Sequence, residues 1–107
     1  MRDWTRGKND MSDVVVYKDI VAFHPGYYVA EVIEYSGGSP LDFATDVGVA
    51  VEDIERLIDG EIELSLDMAK KISKVTNTSV EMWLNLQEEF DRKIIEIERA
   101  KDLDSQK

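Results

Sequence analysis

Gly48 divides the middle of the chain into two apolar-patterned segments of about eight residues each, and no other feature limits the fold as strongly. Isolated helices this short are marginal in water, so each must pack against the rest of the chain. The second segment repeats apolar residues on one helical face before Asp59-Gly60 ends it, and these residues are Val51, Ile54, Leu57 and Ile58. Two short helices joined by a glycine-containing turn form a helix-turn-helix pattern.

Start signals precede this pair of helices. Ser39 is a favourable N-cap, Pro40 suits the first helical position, and Asp42 stands where the acid of a capping box belongs. Similar signals predict three further helices, so the full set of five covers residues 25–36, 40–47, 51–58, 66–75 and 79 to about 101. We expect an all-α fold with a long C-terminal helix that starts at a capping box of Thr78 and Glu81.

Periodicity also predicts which residues face the core. In the first helix these are Tyr28, Val29, Val32, Ile33 and either Tyr35 or Ser36. In the fourth helix, with Ser65 as its cap, they are Leu66, Met68, Ala69, Ile72 and Val75.

The segment before the first helix, DVVVYKDIVAF at residues 13–23, favours an extended conformation because it is rich in Val. We expect it to lie across the helical body, where a lone strand needs a partner edge. Residues 1–10 offer few groups to bury, and the natural start is either Met1 or Met11. The predicted division is a tail with an extended segment (1–23), a helical domain (24–103) and a short tail (104–107).

The last helix carries an apolar seam at steps of three and four residues, formed by Trp83, Leu86, Phe90, Ile94 and Ile97. At about 35 Å, this helix is longer than a compact domain of this size needs, so something must cover its far half. We expect a partner or dimer interface at Val16, Ile20, Phe90, Ile94 and Ile97. The alternative for the seam is ordinary packing within one chain.

Charge excludes some function classes. The 107 residues include 23 acidic and 13 basic side chains, a formal net charge of −10, which opposes attraction to phosphate backbones and anionic lipid. Residues 24–60 hold eight acidic residues against a single base, Arg56, so seven of the ten excess charges lie there. Such acidity favours a basic partner or serves solubility.

The composition also argues against several kinds of chemistry. Cysteine is absent, so disulfides, Cys-ligated zinc and thiol catalysis are excluded. His24 is the only histidine, and adjacent acids such as Glu52-Asp53 point about 100° apart on a helix and do not converge. We therefore expect no enzyme, no metal and no cofactor. No apolar run approaches the roughly 20 residues that span a bilayer, so we expect a cytoplasmic protein.

Four runs of the sequence resemble the HigA-type antitoxins of the Cro/CI (XRE) helix-turn-helix family: VAFHPGYYVAEVIE, LDFATDVGV, LIDGEIELSLDMAKKIS and NTSVEMWLNLQEEFD. The resemblance covers about residues 21–91, and its most specific parts are HPG at the first helix and T-S-x-E-x-W-L-N-L-Q at the last. It implies a five-helix fold, an antidote to a small ribonuclease toxin, a homodimer, and repression of the protein's own toxin–antitoxin operon.

The resemblance also implies where operator DNA would bind, at the starts of the second and third helices. The residues there are Ser39, Pro40, Ala50, Val51, Glu52, Asp53 and Arg56. Contacts to groove edges and phosphates need hydrogen-bond donors, and the side chains of proline and valine have none. The carboxylates of Glu52 and Asp53 repel the negatively charged phosphates. One hypothesis is therefore an antitoxin that binds a basic toxin and operator DNA. The alternative is a degenerate helix-turn-helix that has lost DNA binding and acts as an acidic protein-interaction module.

Overall fold

The computed structural model describes residues 14–105. Its elements in chain order are β1 (Val14–Tyr17), β2 (Ile20–Phe23), α1 (Pro25–Ser36), α2 (Pro40–Val47), α3 (Val51–Ile58), α4 (Leu66–Thr76) and α5 (Val80–Ser105). The five predicted helices are confirmed, although α5 continues through two residues assigned to the C-terminal tail. The predicted tail at residues 1–10 and the choice between Met1 and Met11 lie outside the described residues. No helix of residues 14–105 is long and apolar enough to cross a bilayer.

The segment predicted to be extended folds back on itself as a β-hairpin. Val14 pairs with Phe23 and Val16 with Val21 in an antiparallel register. The turn is tight, and Lys18 adopts a left-handed conformation with φ of 55°. The second half of the segment thus supplies the partner edge that a lone strand would lack.

This hairpin packs on α5 and covers the far half of that helix. Ala22 of β2 is fully buried, and Ile97 of α5 is only 2% exposed. At the hairpin tip, the Tyr17 hydroxyl donates to the Asp104 carboxylate, and Lys18 Nζ lies 2.7 Å from the same carboxylate. The chain itself therefore covers the length of α5 that exceeds the helical domain.

The main core lies among the five helices and is formed by buried side chains from all of them. Its members are Val29, Ala30, Ile33, Phe43, Ala44, Val47, Ile54, Leu57, Ile58, Leu64, Ala69, Ile72 and Trp83. Some residues predicted to face this core are instead exposed: Tyr35 (96%) and its alternative Ser36, Leu66 (52%) and Val75 (40%). Each lies in a terminal turn of its helix, and a helix buries only one stripe of its surface.

Most predicted caps are present. Ser39 and Asp42 form the capping box of α2, and Ser65 Oγ accepts the Met68 N–H of α4 at 3.1 Å. At α5 the prediction differs, since Ser79 rather than Thr78 accepts the backbone N–H of the first turn. The Thr78 hydroxyl instead accepts the indole N–H of the buried Trp83 at 2.7 Å, so it binds a side chain of α5.

Candidate nucleic-acid and partner surfaces

The start of α2 offers little to a phosphate. Ser39 Oγ accepts the Asp42 N–H at 3.2 Å, and Asp42 Oδ2 accepts the Ser39 N–H at 3.2 Å, so both polar side chains serve the cap. Pro40, predicted to be a DNA contact, is buried and cannot reach a ligand. Leu41 is 60% exposed beside it. The groups at the start of α2 are therefore apolar or already used in the cap, and none of them is a cation.

The turn between α2 and α3 is fixed by backbone geometry. Gly48 has φ of 88°, a left-handed conformation that glycine adopts without strain. The Ala44 carbonyl accepts both the Gly48 N–H, at 2.8 Å, and the Val49 N–H, at 3.0 Å. Because these bonds close the end of α2, the chain turns within three residues and starts α3 at a defined angle.

The start of α3 is acidic for a local reason. Ala50 has no side-chain oxygen to cap the helix. Glu52 and Asp53 lie in the first turn, where negative charge interacts favourably with the positive end of the helix dipole. Arg56 lies in the last turn, where a positive charge is favourable. Helix stability thus explains the same charges that disfavour DNA.

The predicted DNA contacts at α3 differ in how far they reach solvent. Ile54 and Leu57 of this helix point into the core, and Glu52 and Arg56 lie on its exposed side. Of the predicted contacts, the exposed ones are Ala50, Glu52 and Arg56, and the half-buried ones are Ser39, Val51 and Asp53. The accessible groups are therefore a methyl group, a carboxylate and a guanidinium. Only the guanidinium attracts phosphate.

The predicted partner residues are divided between the surface and the interior. Val16 is 54% exposed, whereas Ile20, Phe90 and Ile94 are half-buried. Ile97 is buried beneath the hairpin, so the prediction that it contacts a partner is wrong in this fold. The hairpin face that carries the buried Ala22 covers the seam within the same chain, and Val16 lies outside that contact. The apolar side chains of α5 that stay exposed are Met82, Ile95 and Leu103, on its other sides.

His24 is structural in this arrangement. Its side chain is 2% exposed, and its Nδ1 accepts the Gly26 N–H at 2.9 Å as the N-cap of α1. The Ile62 carbonyl accepts a hydrogen bond from the same imidazole, and the ring meets Phe90 edge-on with centroids 5.0 Å apart. Burial lowers the pKa of His24, against the opposing effects of the Ile62 bond and the Asp91 carboxylate.

A second buried polar group joins the loop after α3 to α5. Gln87 is 7% exposed, its Oε1 accepts the Leu64 N–H at 2.8 Å, and its Nε2 donates to Asp91 at 3.0 Å. No spacing pattern indicates this contact, because the two partners are 23 residues apart in the chain. Within residues 14–105, no group of three or more acidic or histidine side chains could hold a metal ion.

A groove of about 670 Å³ is the surface feature that the sequence did not predict. It lies between α1, α2 and the end of α4, and its lining is Glu31, Val32, Tyr35, Ser36, Phe43, Asp46, Val75, Thr76 and Thr78. Tyr35 and Val75 are two of the residues wrongly expected in the core. The same helical periodicity could have indicated the groove, because it also predicts a second apolar stripe on α1, beside the buried one.

Comparisons with known proteins agree with this architecture. No protein-family model matches the chain. It is 31% identical over 86 residues to YddM, an uncharacterized HTH-type transcriptional regulator of Escherichia coli K12, a match that covers 77% of this chain and 92% of YddM.

Two solved structures extend the comparison. An addiction module antidote protein of the HigA family from Coxiella burnetii has a TM-score of 0.70 and 25% identity, with 78% of this chain and 91% of that chain covered. Antitoxin HigA of Pseudomonas aeruginosa, solved with the higBA promoter, has a TM-score of 0.69 and 24% identity, with 76% and 89% covered. The similarity thus extends over nearly the whole length of each relative.

Proposed function

Because this chain belongs to the HTH-type transcriptional regulators, among the HigA-type antitoxins of the Cro/CI (XRE) helix-turn-helix family, we propose that it neutralises a small basic ribonuclease toxin and regulates its own operon. The observation that carries the toxin half is the charge of residues 24–60, eight acidic residues against Arg56. An enzyme that cuts messenger RNA must bind phosphate and is therefore basic. An acidic partner gains encounter rate and complementarity from the same field that repels nucleic acid.

For regulation of the operon, we assign operator contact to the exposed side of α3. Arg56 would approach a phosphate or guanine, and Glu52 would accept from a cytosine amino group. Ala50 and Val51 would contact a thymine methyl group. The fold that this chain shares with Pseudomonas aeruginosa antitoxin HigA, which was solved with the higBA promoter, supports this assignment.

A second candidate function is a protein-interaction module that has lost DNA binding. The observation that favours it is the accessible surface of the helix-turn-helix, which offers Glu52 and Glu55 and only one cation. Each phosphate contact by Lys or Arg releases counterions, and these contacts supply most of non-specific affinity. With one such contact per protomer, binding would be weak and would depend little on salt.

The toxin half is tested by co-expression with the product of the adjacent reading frame. We expect that product to arrest growth alone, the present chain to restore growth, and the two proteins to co-purify. Their association should weaken as salt increases, because exposed charges are screened beyond about 8–10 Å at physiological ionic strength. Growth arrest that this chain does not relieve, with no co-purification, contradicts the antitoxin proposal.

The DNA half is tested by gel retardation of the upstream DNA at low salt, with and without the toxin. The double substitution Glu52→Gln and Asp53→Asn removes two negative charges per protomer. Because this reduces the repulsion of phosphates, we expect the double variant to bind DNA more tightly than the parent. If neither protein retards the DNA in either condition, the module without DNA binding is the better description.

The homodimer is proposed on the part of α5 that the hairpin leaves uncovered. Ile95 is 49% exposed and Leu103 is 67% exposed. Replacing both with Asp should give monomers by light scattering, because buried unpaired charges are costly at an interface. An unchanged mass would assign the dimer to another surface, such as the exposed Val16 of the hairpin.

A further inference from the structure

The groove between α1, α2 and the end of α4 combines apolar walls with an acidic rim. Its apolar lining comes from Val32, Tyr35, Phe43 and Val75. Tyr35 is 96% exposed and Val75 is 40% exposed, although both are large hydrophobic residues. Single exposed apolar residues are ordinary on a protein surface. Here they border one concave site of about 670 Å³, a size typical of binding sites.

The charge of the groove restricts what it fits. Two lining residues are acidic, Glu31 and Asp46, and the described lining contains no Lys or Arg. Both acids are exposed at the rim of the groove. A cationic side chain beside an apolar one would satisfy both features of the site. An anionic ligand such as a phosphate backbone would be repelled.

The groove is also distinct from the helix-turn-helix contact surface. Its lining comes from α1, α2, α4 and Thr78, and α3 contributes nothing to it. From α2 it uses Phe43 and Asp46, whereas the predicted DNA contacts on that helix are at its start. A partner in the groove therefore leaves the exposed side of α3 free.

Other apolar surfaces are poorer candidates for the same partner. The inner face of the hairpin and the seam of α5 cover each other, as the burial of Ala22 and Ile97 indicates. A smaller site beside Phe23, of about 260 Å³, is lined by both Glu89 and Lys93 and has no clear charge preference. The groove is the site where apolar exposure and one sign of charge coincide.

We propose that this groove is the docking site for the basic toxin. An apolar side chain of the toxin enters between Tyr35 and Val75, and Lys or Arg residues beside it meet Glu31 and Asp46. This inference rests on the proposed antitoxin function, and it names the surface that performs it. Tyrosine is enriched among the residues that dominate interface energetics, so Tyr35 is the main contact.

The test measures the affinity of purified toxin, the product of the adjacent reading frame, for the full chain and four variants at physiological salt. Tyr35→Ala and Asp46→Lys alter the groove. Leu66→Ala and Glu63→Lys are their controls, since Leu66 is also an exposed apolar residue and Glu63→Lys changes the net charge by the same amount. All four positions are exposed, so the fold should persist, and circular dichroism checks this.

We expect each groove variant to weaken binding about tenfold or more, and each control to stay within about threefold of the parent. Equal losses for Asp46→Lys and Glu63→Lys, with no effect of Tyr35→Ala, would mean that only the long-range field matters and would overturn the docking site. A monomeric Tyr35→Ala variant of a dimeric parent would assign the groove to a second copy of this chain and also overturn it. If the parent chain itself binds no toxin, the proposed function fails, a result distinct from loss of the groove alone.

Discussion

Gly26 lies against the backbone of Leu57 so closely that a methyl group on Gly26 would stand 1.7 Å from the Leu57 carbonyl oxygen. The first turn of α1 thereby crosses the last turn of α3 without any side chain between them. This contact positions the helix-turn-helix relative to α1, and it explains the glycine of the HPG sequence by close approach rather than by an unusual φ.

We predict that Gly26→Ala lowers the free energy of unfolding by about 3 kcal/mol or more, because a backbone carbonyl cannot move aside without separating α1 from α3. Urea denaturation measures this. Gly38→Ala is the matched control, since its nearest atoms would lie 3.5 Å away, in ordinary contact, and its expected effect is within about 0.5 kcal/mol. Equal losses for the two variants would contradict the steric explanation.

Stability should depend on pH through His24. Burial lowers its pKa below the ordinary value of 6.5, so the unfolded chain binds a proton that the folded chain resists. The contribution is complete above about pH 6.5 and is lost as the pH falls from there toward the lowered pKa of the folded state. Protonation also removes the Nδ1 lone pair that accepts the Gly26 N–H. Urea midpoints measured across this range should fall for the parent but stay flat for His24→Asn, which keeps a capping oxygen.

Removing the Gln87 side-chain carbonyl should leave the buried Leu64 N–H without its acceptor. For Gln87→Leu we predict a loss of about 1–3 kcal/mol of unfolding free energy, the usual cost of an unsatisfied buried group. Amide hydrogen exchange of Leu64 should accelerate at the same time. Asn85→Leu, at an exposed position two residues away, should change neither quantity. Normal Leu64 protection in Gln87→Leu would reject the assigned hydrogen bond.

Two neighbouring isoleucines of α5 should respond oppositely to truncation. Ile97 is 2% exposed beneath the hairpin and Ile95 is 49% exposed. We predict that Ile97→Ala costs about 2–4 kcal/mol, whereas Ile95→Ala costs less than about 1 kcal/mol at low protein concentration. Thermal unfolding measures both. Loss of stability in Ile95→Ala alone would contradict this assignment, because it would make Ile95, rather than Ile97, the covered position.

The hairpin tip can be followed through the ionisation of Tyr17. Its hydrogen bond to the Asp104 carboxylate, with a smaller contribution from burial, raises the pKa of Tyr17 above 10.0. In Asp104→Asn we expect that pKa to fall toward the ordinary value, as read by an NMR titration of labelled tyrosines. Asp102→Asn, at an exposed position on the same helix, should leave it unchanged. An unaltered Tyr17 titration in Asp104→Asn would show that the tip is not attached to α5 in solution.

Local chemistry made the helices predictable. The start of α2 is specified by Pro40 and by the hydrogen bonds between Ser39 and Asp42, which are close in the chain. Its end is specified by the left-handed conformation of Gly48. Such signals act within four residues and need no knowledge of the rest of the chain. The acidic first turn of α3 was predictable for the same reason, since its charges complement the helix that carries them.

The contacts of Tyr35, Val75 and Ile97 were not predictable, because each depends on which elements meet in space. Periodicity assigned all three to apolar stripes but could not say which stripe is covered, by what, or how far along the helix. The hairpin covers Ile97, and the helix ends leave Tyr35 and Val75 at a groove. The sequence by itself determined the five helices, most of their caps and the acidity of residues 24–60. Only the tertiary structure decided which apolar surfaces stay open to a partner, since burial is a property of neighbours distant in the chain.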